Sequence, residues 1–172
     1  MIKLGKAIRI ILCSSLSLKS ETVKLIESCG RVLAQDLFAR SDMPPFEKSA
    51  MDGFALRSRN TKFAPVELKV IENLPAGKIA RRALRKGECA KIMTGSALPC
   101  GADSVVMVED TRPAGRDKIL VAKKVSPQEN VCLRGEDFHK GKLLIKKGKT
   151  MGMAEVAVFA SPGKTKDRKS VV

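Results

Sequence analysis

Three polar stretches hold the residues whose types and spacing could do chemistry. The first is Pro44-Pro45-Phe46-Glu47-Lys48-Ser49-Ala50-Met51-Asp52-Gly53-Phe54-Ala55-Leu56. Its two prolines stiffen the backbone and remove two N–H donors, so it is not a regular element. Ser49 and Ala50 are small enough for another backbone or a ligand to come close, and Asp52-Gly53 is a turn signal running into an alternating strand pattern. Such a loop either holds a carboxylate in place or is a hairpin turn that contains an Asp. The second stretch runs from Lys91 through Thr94-Gly95-Ser96 to Asp103. Thr94 offers a hydroxyl at a strand end, and Gly95 permits a turn that aims N–H groups at an anion; a plain hydroxyl-capped turn has the same composition. The third, Asn130 to Asp137, gathers Arg134, Gly135, Glu136 and Asp137. Glu136 and Asp137 suit Mg²⁺ held through water, or local ion pairs with Arg134.

Other chemistries have less to work with. His139 is the only histidine, and the five cysteines (Cys13, Cys29, Cys89, Cys100, Cys132) form no C-x-x-C pair. Zinc and disulfide frameworks are disfavoured, a Cys–His139 couple has nothing to orient it, and the compartment reads as reducing cytoplasm. No apolar run reaches the roughly 20 residues of a membrane span. Arg9 interrupts the Ile8–Leu12 patch, which reads as an amphipathic helix and not as a signal peptide. The net charge of +15 suits an anionic ligand, but the basic residues are dispersed and Tyr and Trp are absent. That pattern argues for a solvated lysine-rich surface over a nucleic-acid binder.

The positioning elements follow from periodicity. Leu4, Ala7, Ile8, Ile11 and Leu12 fall on one helical face. Glu21–Leu25 alternates as a strand, and Gly30 stops a turn after it. Between Phe54 and Val125, short apolar runs at 66–71, 89–93, 104–108 and 119–121 alternate with Gly and Pro, the pattern of a small β unit. Ser104–Val108 is nearly all apolar and predicts a central strand. Lys142–Ile145 predicts a strand, Thr150 an N-cap, and Met153, Val156, Ala157 and Ala160 a helix ended by Pro162-Gly163, with a frayed tail beyond. The fold class is therefore α+β. Residues 1–42 and 128–172 form a discontinuous mixed α/β domain, and 43–127 form an inserted β-rich, barrel-like domain.

Taken in order, Ser-Ala-Met-Asp-Gly-Phe-Ala at 49–55, Ile-Met-Thr-Gly at 92–95, Leu-Pro at 98–99, Gly-Ala-Asp at 101–103, Val-Val-Met at 105–107, Glu-Asp-Thr at 109–111 and Arg-Gly-Glu-Asp at 134–137 form a series. It resembles the N-terminal half of the molybdopterin molybdenumtransferases, the MoeA family that includes the gephyrin E region. The resemblance covers about Val23 to Ser161. It implies an elongated domain with a β-rich insertion and an elongated homodimer. It also implies insertion of molybdate into adenylylated molybdopterin with release of AMP, assisted by Mg²⁺ or another divalent metal. Asp52, Thr94 and Asp137 match catalytic positions, and Ser49, Arg134 and Glu136 are candidates for substrate binding; no residue is assigned to the metal. Other molybdenum cofactor biosynthesis proteins are implied as partners.

The sequence departs from the family at Glu47-Lys48, where Asp-Asn is usual, at Phe54, where Tyr is common, and at Pro162. The family's chain continues into a nucleotide- and molybdopterin-binding domain, so these loops are expected to be one side of a cleft shared between subunits. The 172-residue chain alone is then expected to be inactive. A non-catalytic dimerisation or scaffolding module is the competing class, with a basic nucleic-acid-binding domain third.

Overall fold

The computed structural model of the chain describes residues 2–14, 19–161 and 168–171. Helix α1 (Leu4–Ser14) is followed by strands β1 (Glu21–Lys24) and β2 (Leu37–Phe38). Then come β3 (Lys48–Ser49), β4 (Gly53–Leu56), a 3-10 turn over Ser58–Thr61, β5 (Val66–Leu74), β6 (Glu88–Ile92) and β7 (Ser104–Met107). Strands β8 (Thr111–Pro113), β9 (Lys118–Val121), β10 (Val131–Cys132) and β11 (Leu143–Ile145) precede helix α2 (Met153–Ala160) and β12 (Arg168–Val171). The architecture is mixed α+β and strand-rich, with two helices among the described residues.

The chain divides into two compact units, Met1–Arg40 with Gly141–Val172, and Ser41–Lys140. In the first, β1 pairs with β12 and β2 with β11, both antiparallel, and Val32 bridges Thr150. Leu25, Leu33, Ile145, Met151 and Phe159 are its buried cluster. The segment 168–171, expected to be frayed, is strand β12. The N-cap of α2 is Gly152, not Thr150: Thr150 is occupied in the Val32 bridge, and the Gly152 N–H donates to Glu155 Oε2 at 2.9 Å. The Pro162-Gly163 stop lies outside the described residues. Helix α1 forms where the periodicity predicts it, yet none of its residues is buried. Periodicity defines an apolar face; it does not supply a surface to cover it.

The second unit is built on a six-stranded sheet of order β7-β4-β6-β5-β9-β8, curled as a half-barrel. Its pairings are antiparallel except β5 with β6. Alternation along the strands buries both faces: Phe54, Leu56, Leu68, Cys89, Val106 and Val121 share one cluster, and Ala55, Leu74, Ala90, Ile92 and Val105 share another. β7 is an edge strand and not a central one. It is nonetheless buried, because the loop after residue 125 covers its open side. The Val105 N–H donates to the Glu129 carbonyl at 2.9 Å, and Asn130 Nδ2 donates back to the Val105 carbonyl at 2.9 Å. An apolar edge capped by a polar loop leaves the same sequence pattern as a central strand. Residues 128–140 belong to this second compact unit, Ser41–Lys140.

Gly53 opens β4, opposite Met107 of β7. A Cβ there would lie 1.9 Å from the Val106 carbonyl oxygen, so only glycine fits. This close approach fixes the start of β4, and with it Asp52.

Candidate functional site

Strand β3 stands between the other two polar loops. On one side Lys48 bridges Ala97, the Ser49 N–H donates to the Ser96 carbonyl at 3.0 Å, and the Gly95 N–H donates to the Ser49 carbonyl at 2.9 Å. On the other side Ser49 pairs with Val131 and Lys48 with Cys132, and the Ala50 N–H donates to the Asn130 carbonyl at 2.9 Å. The three stretches singled out by residue type are thus laced together through their backbones.

Asp52 and Thr94 meet at one end of the β4–β6 pair. Asp52 Oδ1 accepts from both the Thr94 N–H and the Thr94 hydroxyl, each at 2.7 Å. Both residues are exposed. The backbone N–H of Thr94, then its hydroxyl, hold the Asp52 carboxyl below the usual carboxylate range against a small opposing effect of burial. The pair therefore presents a fixed negative charge. The Thr94 hydroxyl proton is committed to Asp52, so toward any ligand Thr94 offers lone pairs. Ser49 is buried, and its hydroxyl donates to the Met51 carbonyl at 2.5 Å. It shapes the loop that delivers Asp52.

Arg134, Glu136 and Asp137 lie together on a loop tied to residues 42–44. The Gly135 N–H donates to the Pro44 carbonyl, the Asp137 N–H to the Met43 carbonyl, and the Met43 N–H to the Phe138 carbonyl, each at 2.9 Å. Glu136 accepts the Leu133 N–H at 2.9 Å, closing a turn. Arg134, Glu136 and Asp137 are all exposed. Arg134 donates through Nε to Asp42 Oδ2 at 2.6 Å, not to its neighbouring carboxylates. Asp42 also accepts the Lys140 N–H at 2.8 Å. Those two bonds, the Lys140 one first, lower its carboxyl. Sequence reasoning missed Asp42, since a lone Asp before two prolines reads as a turn residue. The Asp103 of Gly-Ala-Asp is likewise structural: it accepts the Ser58 N–H at 2.6 Å and hydroxyl at 2.8 Å, and the Ser104 hydroxyl at 3.0 Å. Burial works against its charge, but these bonds outweigh it and keep the carboxyl low.

A cage of protein ligands for a metal is not built, because no group of three or more His, Cys, Asp or Glu side chains comes together among the described residues. The donors present fit Mg²⁺ differently. Mg²⁺ commonly takes one or two carboxylates and completes its shell with water and substrate phosphates. Asp52, with its second oxygen unbonded, meets that requirement.

The family model for the MoeA N-terminal region (domain I and II) matches residues 2–163. The chain belongs to this family. Its similarity extends to the molybdopterin molybdenumtransferases of Staphylococcus epidermidis, at 35% identity over 97% of this chain, and of Staphylococcus aureus, at 37% over 94%. The chain spans 41% and 39% of those curated relatives, about two fifths of their length. The structure is similar to the crystal structure of the molybdopterin biosynthesis moeA protein from Pyrococcus horikoshii, with a TM-score of 0.89 and 36% identity. That likeness covers 97% of this chain and 45% of the other. A second structure of that protein gives a TM-score of 0.86 at 34% identity. In this MoeA N-terminal region, the Met-Asp-Gly and Met-Thr-Gly motifs are therefore the two halves of one hydrogen-bonded couple.

Proposed function

We propose that the chain contributes the Asp52–Thr94 edge of a site at which molybdate is inserted into adenylylated molybdopterin, with release of AMP. The observation that carries this reading is the pair of hydrogen bonds from Thr94 to a single Asp52 oxygen, in a family whose relatives are named molybdopterin molybdenumtransferases. Both substrates are anionic, so a bare carboxylate would repel them. A divalent ion such as Mg²⁺, when bound, supplies the positive charge that lets phosphate and oxyanion approach. Asp52 would hold it through its unbonded oxygen, with Asp137 as the second carboxylate, and Thr94 keeps Asp52 deprotonated and correctly turned. Arg134, Glu136 and Ser49 act on this edge by holding the loops that carry Asp52 and Asp137. The remaining ligand-binding surface would be supplied across a homodimer. The reading of the compartment as cytoplasmic rests on the five free cysteines. Other molybdenum cofactor biosynthesis proteins are its natural partners.

A second reading, a dimerisation or scaffolding module without catalysis, is favoured by the exposed Leu4, Ile8, Ile11 and Leu12 of α1. Complementation separates the two. A full-length relative with its own Asp52-equivalent loop disabled is mixed with this chain, and mixed dimers are verified by light scattering. Activity should return. Asp52→Asn keeps an oxygen for both Thr94 bonds and replaces the other with an N–H donor. It should dimerise yet restore about a hundredfold less turnover. Equal rescue by Asp52→Asn reduces the carboxylate to a turn residue. Mixed dimers without rescue by either form favour the scaffold.

A further inference from the structure

β4 and β6 have two ends, and only one carries Asp52 and Thr94. The strands are antiparallel, with Ala55 opposite Ala90 and Gly53 opposite Ile92, so the exit of β4 lies beside the entry of β6. There the 3-10 turn over Ser58–Thr61 and the turn Arg85-Lys86-Gly87 come together. Arg59, Asn60 and Lys86 line a hollow of about 400 Å³. Four residues of strand separate it from the Asp52–Thr94 end, more than about 10 Å at the usual rise.

The chemistry of this lining is one-sided. Among the described residues, no carboxylate lines the hollow. The nearest in sequence, Glu88, is engaged by the Arg82 guanidinium and by the Arg85 N–H. Arg59 and Lys86 have no ion-pair partner among the described residues, although they share one concavity. Asn60 Nδ2 is closed off from water and makes no hydrogen bond. Two unneutralised cations facing one space repel each other, and an enclosed N–H without an acceptor is unfavourable. One ligand type relieves both. An anion between Arg59 and Lys86 neutralises them and supplies acceptor oxygens. The terminal torsion of Asn is broad and two-fold, so the carboxamide can turn its N–H toward an occupant without leaving its place. The planar guanidinium suits two oxygens of one tetrahedral group, and the ammonium suits a third as a point charge.

We propose that the Arg59–Asn60–Lys86 hollow is a binding site for a phosphate group, separate from the Asp52–Thr94 edge. The phosphate is either the free ion or carried on a small molecule, and the volume has room for both. This site stands or falls independently of molybdenum insertion, because it uses none of that edge's residues.

The test is a titration of the full chain with inorganic phosphate and, separately, with glycerol 3-phosphate at low salt, followed by phosphorus NMR. Saturable one-to-one binding below about 10 mM is expected. Arg59→Gln together with Lys86→Gln should weaken it about tenfold or more, since each removes a charge-assisted donor. Both side chains are exposed, so the fold is retained, which circular dichroism verifies. Lys6→Gln with Lys146→Gln removes the same charge elsewhere and should change binding less than about twofold. Tighter binding of the ester assigns a carried phosphate, and tighter binding of the ion assigns the free one. Absence of saturation, or equal weakening by the two double variants, means the anion samples only the general positive field, and the site is then refuted.

Discussion

Gly53→Ala is a sharp test of how Asp52 is positioned. The new Cβ would sit 1.9 Å from the Val106 carbonyl oxygen and 2.9 Å from its carbon, where real Cβ atoms essentially never come under 3.0 Å. Both obstacles are backbone, so no side chain can rotate away. β4 and β7 must separate by about 1 Å within an antiparallel ladder pairing Gly53 with Met107 through Leu56 with Ser104. Overpacking of this kind costs about 1–3 kcal/mol, and one ladder hydrogen bond lost in a buried setting adds about 1–3 kcal/mol. A total near 4 kcal/mol corresponds to a fall in Tm of about 10 °C or more for a chain of this size. Thermal unfolding by circular dichroism measures it. Gly5→Ala is the matched control: nothing lies within 4 Å of its Cβ, and its place in α1 makes alanine neutral or slightly stabilising. A Gly53→Ala protein melting within 2–3 °C of the unmodified chain, on the order of 1 kcal/mol, would refute the contact and the reasoning that glycine anchors the Asp52 loop.

Two further predictions concern titration. Asp42, Asp52, Glu72, Glu88, Asp103 and Glu155 all have carboxyls held below their ordinary values in the folded state. Groups depressed on folding contribute stability above their unfolded pKa and lose it as pH falls through the folded one. The urea midpoint should therefore be flat between about pH 6 and 8 and decline below about pH 4; an unchanged midpoint at pH 3 would refute it. Burial, and then the Glu88 charge, push the Cys89 thiol up to about 12, so at pH 8 it should resist a thiol reagent that labels exposed Cys13, Cys29 and Cys100. Labelling of Cys89 in the folded chain at their rate would contradict its burial.

What was legible in the sequence had short range. Turn chemistry and alternation located β4, β5, β6 and β9, because Gly-Pro punctuation and two-residue periodicity are local properties. The family motifs singled out Asp52 and Thr94, with Asp137, as separate positions; the hydrogen bond that joins the first two across 42 residues was not legible in them. What escaped depended on partners distant in the chain. β7 became an edge because, among the described residues, β4 is its only strand neighbour, while its open side is closed by Glu129 and Asn130. The segment 168–171 became a strand because β1 lies beside it, which no propensity of a charged tail reports. Asp42 became the anchor of the Arg134 loop through contacts 92 and 98 residues away. Composition left Glu136 and Asp137 either to Mg²⁺ through water or to ion pairs with Arg134. Glu136 is instead used on the Leu133 N–H, and a carboxylate from another segment takes the guanidinium.

The hydrogen bonds of Asp52 also bear on the role proposed for it. A general base works best with a pKa near the operating pH, because it must gain a proton and give it up again. Thr94 moves Asp52 the other way, since both its hydrogen bonds stabilise the charged form. Protonating Asp52 Oδ1 would break or weaken two of the contacts that hold the loops of residues 48–52 and 94–97 in register. A carboxylate so arranged is poor at receiving protons and good at remaining negative in one place. That suits holding a cation or a hydrated cation against anionic substrates, the role assigned to it above. Thr94 spends its hydroxyl proton on Asp52, so under the proposed function it would act through the orientation of that charge. Removal of the Thr94 hydroxyl alone leaves the backbone N–H bond in place. The charge would persist with one restraint fewer, a smaller loss than deleting the carboxylate itself.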